Sequence, residues 1–255
     1  LGSLSIILAA AITLRRGGVA GLLVTIAATV PYCIMLPMQD ELLGQWFLLV
    51  IVMSNLATWF LAVLKQRGLT WSKVLTVVAW MGAGIVIAVH SIIPDVGAFW
   101  EQHLTKYWSA ALDNNAGVNS LSGIAQLFDA SKLQGVPADT SGVSVAMLEA
   151  DILSFIKLLK NHMTGILSIV VVFGALLQVY FAHVWYFVRP ARIGVPSSML
   201  HNLRLGSAIG LAFIVVIIMS YGHIPVALDL LPFFYAVFLL PGLGLVHSCC
   251  AYLGD

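Results

Sequence analysis

The sequence predicts an all-α, polytopic helical membrane protein with about six or seven transmembrane helices, forming a single integral membrane domain over residues 1–255. Two observations predict this fold class. First, 60% of the 255 residues are hydrophobic and only 9% are charged, whereas about a quarter of the residues in soluble domains are charged. Second, uncharged apolar runs long enough to cross a bilayer recur along the chain, separated by polar turns. We therefore expect lipid to surround most of the chain.

Composition also limits the classes of function. The formal net charge is +1, and the basic residues are spread over short loops, so no broad basic surface for nucleic acid is expected. The three cysteines lie in or beside apolar runs and form neither a disulfide framework nor a zinc-binding spacing. The sequence contains no phosphate-binding loop, metalloprotease motif or serine-hydrolase motif. We predict no metal, no cofactor and no enzymatic activity.

The apolar runs define the predicted spans. A first run, Leu4 to Leu14, is too short to cross a bilayer and predicts a re-entrant or partly buried piece, or a further segment before Leu1. Gly17 and Gly18 predict a turn, while the spacing of Gly17 and Gly21 predicts, alternatively, a close approach of two helices. The predicted spans are Val19 to Pro37, Leu42 to Leu64, Leu69 to Ile93, Met163 to Arg189, Leu205 to Tyr221 and Asp229 to His247.

Residues 95–151 are a predicted extracytoplasmic excursion, because seven of the eleven acidic residues fall there. Apolar side chains at helical spacing from Phe99 to Leu112 predict an amphipathic helix that lies on the membrane or folds over the bundle as a lid. A second, weaker amphipathic piece is predicted from Leu121 to Leu133. From Met147 onward the pattern predicts one long helix that starts outside the membrane, enters it and ends near Arg189.

The basic residues predict the orientation of the chain. Eight of the twelve fall in alternate loops, and the remaining four are lysines in the other loops. Because basic loops stay on the cytoplasmic side, we expect Arg15, Lys65, Arg189 and the C-terminus in the cytoplasm, and residues 95–151 outside. The alternation holds in every predicted loop, which supports the assignment of the spans.

Few polar side chains lie inside the predicted spans. No Asp, Glu, Lys or Arg falls in the middle of one, which argues against a proton-coupled pump. The remaining polar residues could contact a ligand in a cavity between helices. Hydrogen bonding between helices, worth about 0.6 kcal/mol per bond, explains any one of them, and we favour it. These residues are Asn55, His90, Gln178, His183 and His247.

A candidate ligand pocket is predicted at the outer end of the last two spans. Tyr221, His223 and Asp229 lie there, on the same predicted side as Trp100 and Trp108 of the amphipathic helix. Aromatic walls with few polar anchors are typical of small-molecule sites. The alternative, an aromatic belt at the membrane surface beside a solvated turn, explains the same residues and is favoured.

The last span contains residues that are unusual in an uncharged transmembrane helix, namely Pro241, Gly242, Gly244 and His247. A proline at membrane depth bends or breaks a helix unless neighbours satisfy the freed carbonyl. We therefore expect a kinked helix around which the other spans pack, with its glycines serving close packing.

Several stretches carry a resemblance to a known family. They are Trp185-Tyr186, Arg189-Pro190, Met199 to Leu205 and Tyr235 to His247. They resemble the C-terminal part of the YybS-like family of bacterial inner-membrane proteins, whose function is unknown and whose last span carries a Gly-Leu-x-x-x-His core. The loop differs, with Arg-Pro-Ala-Arg-Ile-Gly where Asn-Pro-Gly is more usual. Members look like the substrate-binding (S) components of energy-coupling-factor transporters, so the resemblance implies capture of a small molecule at the bacterial inner membrane.

Two functions of different classes follow as hypotheses. The first is a non-enzymatic membrane protein that captures a small molecule at its outer side, under residues 95–151, and depends on a coupling partner for energy. The alternative is a structural or assembly subunit of a membrane protein complex, with no ligand. The basic loop with Arg189, Arg192 and Arg204 is the predicted docking surface for a partner. An intramembrane enzyme is least favoured, because the spans lack acids and bases.

Overall fold

The computed structural model describes residues 2–35, 43–113, 153–187 and 205–253, and these are helical almost throughout, which confirms the all-α prediction. Residues 153–159 also form a short helix. The chain divides into two compact units, one of Leu1–Val89 with Thr164–Asp255 and one of His90–Met163. The longer helices are α1 (Gly2–Arg16), α2 (Gly18–Met35), α3 (Leu43–Gln66), α4 (Trp71–Ile92), α5 (Val96–Asp113), α6 (Met163–Phe187), α7 (Ser207–Tyr221) and α8 (Pro225–Leu253).

Four of these helices contain stretches long and apolar enough to cross a membrane: Leu48–Gln66, Trp71–Ile92, Met163–Trp185 and Pro225–Leu243. Two shorter apolar helices are Gly18–Ile34 and Ser207–Tyr221. Many large apolar side chains are exposed, and on α7 Leu211, Ile214 and Ile218 are each more than half exposed. A water-soluble protein rarely exposes so continuous an apolar surface. The chain is therefore a multi-pass helical membrane protein.

The first two helices form a tight hairpin. Gly17, between α1 and α2, has a φ of +104°, a left-handed conformation that suits glycine. A Cβ added at Gly21 would overlap the side chain of Thr13, so the two backbones approach closely at that point. Both interpretations of the glycine spacing are thus correct. The hairpin is tied to α3 by the Trp59 indole, which donates a hydrogen bond of 2.8 Å to the Gly18 carbonyl.

Two apolar clusters form the interior of the first unit. One joins α1, α3, α4 and α6; its fully buried members include Leu61, Val74 and Val172. The other joins α4, α7 and α8, with Phe173 of α6 packed against it and Phe233 fully buried in it. Since α4 contributes buried residues to both clusters, it is the central helix of the unit.

The prediction that the other spans pack around the last one needs correction. The buried apolar residues in the described part of α8 belong to the second cluster, and partly buried Leu240 packs against the first. The helix also runs without a break from Pro225 to Leu253, through Pro232 and Pro241. The buried side chains of α4, from Val74 to Val86, form one continuous stripe that contributes to both clusters.

The glycines of α8 do not all serve close packing. At Gly242 an added Cβ would meet no atom of the described residues within 4 Å, so the close-packing prediction is wrong there as far as the described part of the chain extends. Gly244 and His247 belong to the same helix. The surroundings of these two residues lie outside the described part of the chain.

The second unit confirms the amphipathic helix and corrects the helix that was predicted to follow it. Asp95 caps α5 by accepting a hydrogen bond of 2.9 Å from the Ala98 amide. The single long helix predicted from Met147 to Arg189 is wrong, because residues 160–162 form a turn between residues 153–159 and α6. Asn161 at the centre of this turn is of a type that competes with helical hydrogen bonding. The predicted second amphipathic piece lies outside the described residues.

A salt bridge connects the two described parts of this unit. Lys160 Nζ donates to Glu101 Oε2 of α5 at 2.7 Å. The Lys160 side chain is 29% exposed and the Glu101 side chain is 36% exposed. A pair so open to solvent contributes roughly 0–1 kcal/mol, so burial of Val96 and Ile156 matters more to the unit.

We predict that Gly165→Ala lowers the thermal unfolding midpoint, whereas Gly174→Ala on the same helix does not. A Cβ at Gly165 would overlap the backbone carbonyl oxygen of Asp229, so α6 and α8 would have to move apart. At Gly174 an added Cβ meets no described atom within 4 Å, and alanine favours a helix over glycine by up to about 1 kcal/mol. Thermal unfolding of both purified variants in one detergent checks this. Equal midpoints would show that the contact between the two backbones does not limit stability.

Candidate functional site

A cavity of about 310 Å³ with polar groups in its walls lies in the first unit. Its walls come from four helices, α1, α2, α3 and α6. Apolar side chains alternate in it with hydroxyl and amide groups. The lining residues are Ile6, Tyr32, Val50, Ile51, Ser54, Asn55 and Gln178.

Asn55 is held in the cavity wall by hydrogen bonds between helices. Its side chain is only 5% exposed, and its Nδ2 donates to the Thr29 hydroxyl of α2 at 2.9 Å. That hydroxyl donates in turn to the Thr25 carbonyl at 2.7 Å, one helical turn earlier. The chain of donors fixes the Asn55 amide with its nitrogen toward α2.

Gln178 is held from the other side of α3. The Thr58 hydroxyl lies 2.6 Å from Gln178 Oε1 and 2.8 Å from the Ser54 carbonyl. It has one proton, so it can donate to only one of these oxygens at a time. The contact joins α3 to α6 near the wall of the cavity.

Several hydrogen-bonding groups of the lining remain for a ligand. Within the described residues, Asn55 Oδ1, Gln178 Nε2 and the hydroxyls of Ser54 and Tyr32 have no hydrogen-bond partner. The walls thus combine acceptors, donors and apolar surface, with no acid, base or cation among the seven lining residues. Such a lining can bind and orient a small molecule but has no group suited to proton transfer at neutral pH.

Asn55 and Gln178 confirm the interpretation favoured from the sequence, and contact with a ligand stays a prediction. They bond between helices, and they also line a cavity, as the alternative requires. The sequence analysis missed Tyr32 and Ser54, as well as Thr29 and Thr58 behind them. A signal was present: the polar residues of α2 and α3 recur at a spacing of four, as in Thr25 and Thr29, which places them on one helix face.

Asp229, a member of the predicted outer pocket, is buried rather than open to a ligand. It is 1% exposed, and its Oδ1 accepts a hydrogen bond of 2.8 Å from the Gly165 amide in the first turn of α6. The first four amides of a helix lack partners within it, and a carboxylate there also interacts favourably with the helix dipole. Asp229 therefore caps α6.

The other residues of that predicted pocket lie in different settings. Tyr221 is 83% exposed at the end of α7, and His223 is exposed in the following turn with a φ of +54°. Trp100 and Trp108 lie on α5 in the second unit, where the Trp108 indole nitrogen is buried without a partner among the described residues. A pocket that joins all five residues stays a prediction.

One of the remaining polar candidates, His183, lies near the basic end of the first unit. The His183 ring packs edge-on against Trp71, with 5.4 Å between ring centroids, and Lys65 Nζ lies 4.8 Å from the centroid of the same indole. His90 lies in the last turns of α4. The predicted docking residues Arg189, Arg192 and Arg204 lie outside the described residues. No group of three or more His, Cys, Asp or Glu that could hold a metal occurs in the described ranges.

Comparisons of the chain with protein-family models, with curated proteins and with solved structures gave no match. The class of protein defined here, a multi-pass helical membrane protein, therefore rests on the helices themselves. The resemblance to the YybS-like family stays a hypothesis.

We predict that Asp229→Ala destabilises the protein by about 1–3 kcal/mol, because it leaves a buried amide of α6 without its acceptor. Asp229→Asn keeps a side-chain oxygen and should lose less. Thr76→Val is the matched control, since it removes a hydroxyl that bonds only to a carbonyl of its own helix. Thermal unfolding midpoints give the ranking, and an Asp229→Ala midpoint equal to that of the control would refute the capping role.

Proposed function

We propose that this protein captures a small molecule in the cavity lined by Tyr32, Ser54, Asn55 and Gln178, as the substrate-binding subunit of a membrane transporter. The observation that supports this is the cavity itself, in which amides held by neighbouring helices face a space of about 310 Å³. Pockets that bind small molecules begin at about this size and share this mixture of apolar walls and few polar groups. The resemblance to S components favours the same function.

The proposed topology has six spans, with the two shorter apolar helices crossing the membrane as well as the four longer ones. Helix α2 is about 27 Å long, close to the roughly 30 Å of the hydrocarbon core. With Arg15, Lys65 and the C-terminus in the cytoplasm and residues 95–151 outside, the basic residues follow the positive-inside rule. A bacterial inner membrane is the proposed location, on the strength of the family resemblance.

The depth of the cavity agrees with capture from outside. Tyr32 lies 15 residues after Gly17, about 22 Å along α2. Val50 lies 16 residues before Gln66, about 24 Å along α3. Gln178 lies only nine residues before the cytoplasmic end of α6. Since Gly17 and Gln66 belong to the proposed cytoplasmic end, the cavity extends from the middle of the membrane toward its outer side.

Native mass spectrometry of the gently purified protein tests the proposal. We expect a reproducible small-molecule adduct that is lost in Ile51→Phe, which fills the cavity without removing a hydrogen bond, and weakened at least about tenfold in Asn55→Leu, which removes a polar anchor. Thr76→Val, outside the lining, should keep the adduct.

The alternative function, an assembly subunit, gives a different result in the same experiment. Stoichiometric co-purification of another membrane protein, with no adduct in the wild type, would refute ligand capture and favour assembly. An adduct retained in Ile51→Phe would refute this cavity as its site.

A coupling partner, where one is bound, is proposed to dock on the basic loop. We predict that the double charge reversal Arg189→Glu with Arg192→Glu abolishes co-purification of that partner, because rim charges of one sign guide association with an acidic surface. Arg16→Glu, in a different basic turn, is the control. Unchanged co-purification of the partner with the double variant would exclude this docking surface.

A further inference from the structure

We infer that the cavity selects uncharged molecules and excludes ions of either sign. This inference rests on the proposed function, and it specifies the chemical class of the ligand. It follows from the charge, the hydrogen-bonding groups and the position of the cavity.

Among the described residues of the four wall helices, the absence of charge extends beyond the lining residues. Helices α2 and α6 contain no Asp, Glu, Lys or Arg, and the charged residues of α1 and the described part of α3 lie in their last turns, at Arg15, Arg16 and Lys65. Lys65 is ten residues from Asn55, about 15 Å along the helix. Neither a carboxylate nor an ammonium in the cavity would therefore have a paired counter-charge from these helices.

An ion that enters this cavity would lose part of its hydration without compensation from a charge on these helices. Moving a charge out of water into a protein interior costs several kcal/mol even after relaxation, unless a partner of opposite charge is present. The available groups are dipoles: an amide oxygen, an amide nitrogen and two hydroxyls. These can satisfy the hydrogen bonds of a neutral molecule, for which the cost of desolvation is far smaller.

The orientation of the two amides gives the cavity both polarities when the Thr58 hydroxyl donates to Gln178. Asn55 turns its nitrogen toward Thr29, which leaves its oxygen as an acceptor. Gln178 turns its oxygen toward Thr58, which leaves its nitrogen as a donor. A neutral group with one donor and one acceptor, such as a carboxamide or a lactam, matches this pair.

Cysteine labelling tests the exclusion of ions. The background is Cys33→Ser with Cys249→Ser and Cys250→Ser, because Cys33 is exposed directly after Tyr32. Ser54→Cys in this background is treated with three methanethiosulfonates that share one reactive group: hydroxyethyl (neutral), sulfonatoethyl (anionic) and trimethylammonioethyl (cationic). The rate with each reagent is divided by its rate with 2-mercaptoethanol in solution, because that thiol has no charged neighbour.

We expect the neutral reagent to label Ser54→Cys, and both charged reagents to be slower by at least about tenfold after this normalisation. Ile51→Cys provides a second lining position in case Ser54→Cys fails to fold. Equal normalised rates for a charged and the neutral reagent would overturn the inference, as would no labelling by the neutral one.

The experiments distinguish failure of the proposed ligand capture from failure of the proposed exclusion of ions. If charged reagents enter freely while the native adduct is still lost in Ile51→Phe, ligand capture stands and selection against ions is wrong. If the wild type carries no adduct, the proposed function fails whatever the labelling rates are.

Discussion

The first unit depends on a hydrogen-bond partner for the free backbone amides at the start of α6, which lies inside an apolar bundle. The backbone of α8 packs directly on Gly165 and excludes water from its amide, so a protein group must bond that amide. Asp229 supplies this partner at 2.8 Å from the Gly165 amide. Its carboxylate is 1% exposed, a position that would be costly for an acid without such hydrogen bonds. Capping α6 therefore accounts for the only acid in α8.

Two contacts near the start of α6 fix this helix against α8 and α4. With no side chain at Gly165, the backbone of α6 lies directly on that of α8. One turn later, the Ser168 hydroxyl donates to the Gly82 carbonyl of α4 at 3.0 Å, where the absence of a side chain leaves room for the Phe233 ring. Helix α6 is thus positioned by backbone contacts on α4 and α8. Its later turns then present Gln178 to α3, so the cavity depends on a contact about 20 Å away along the helix.

The sequence predicted the elements of this structure better than their contacts. Apolar runs bounded by charges and glycines identify α2, α3, α4 and α7 within a few residues, because helix ends depend on local chemistry. The role of Asp229 was not predictable, since a carboxylate 64 positions from Gly165 along the chain gives no local sign of the amide that it binds. The turn at Asn161 was missed for the opposite reason: apolar periodicity continues across it and obscures a local signal.

The cavity illustrates why polar residues in spans are hard to interpret from sequence. Asn55 and Gln178 were each explained by a hydrogen bond between helices, and each does make one. An amide, however, has more hydrogen-bonding groups than one partner can use. When two such amides are held by different neighbours around a space of about 310 Å³, the groups that remain can bind a ligand within it. A hydrogen bond between helices and contact with a ligand are then compatible explanations for the same amide. The bond to the neighbouring helix orients the remaining group toward the ligand.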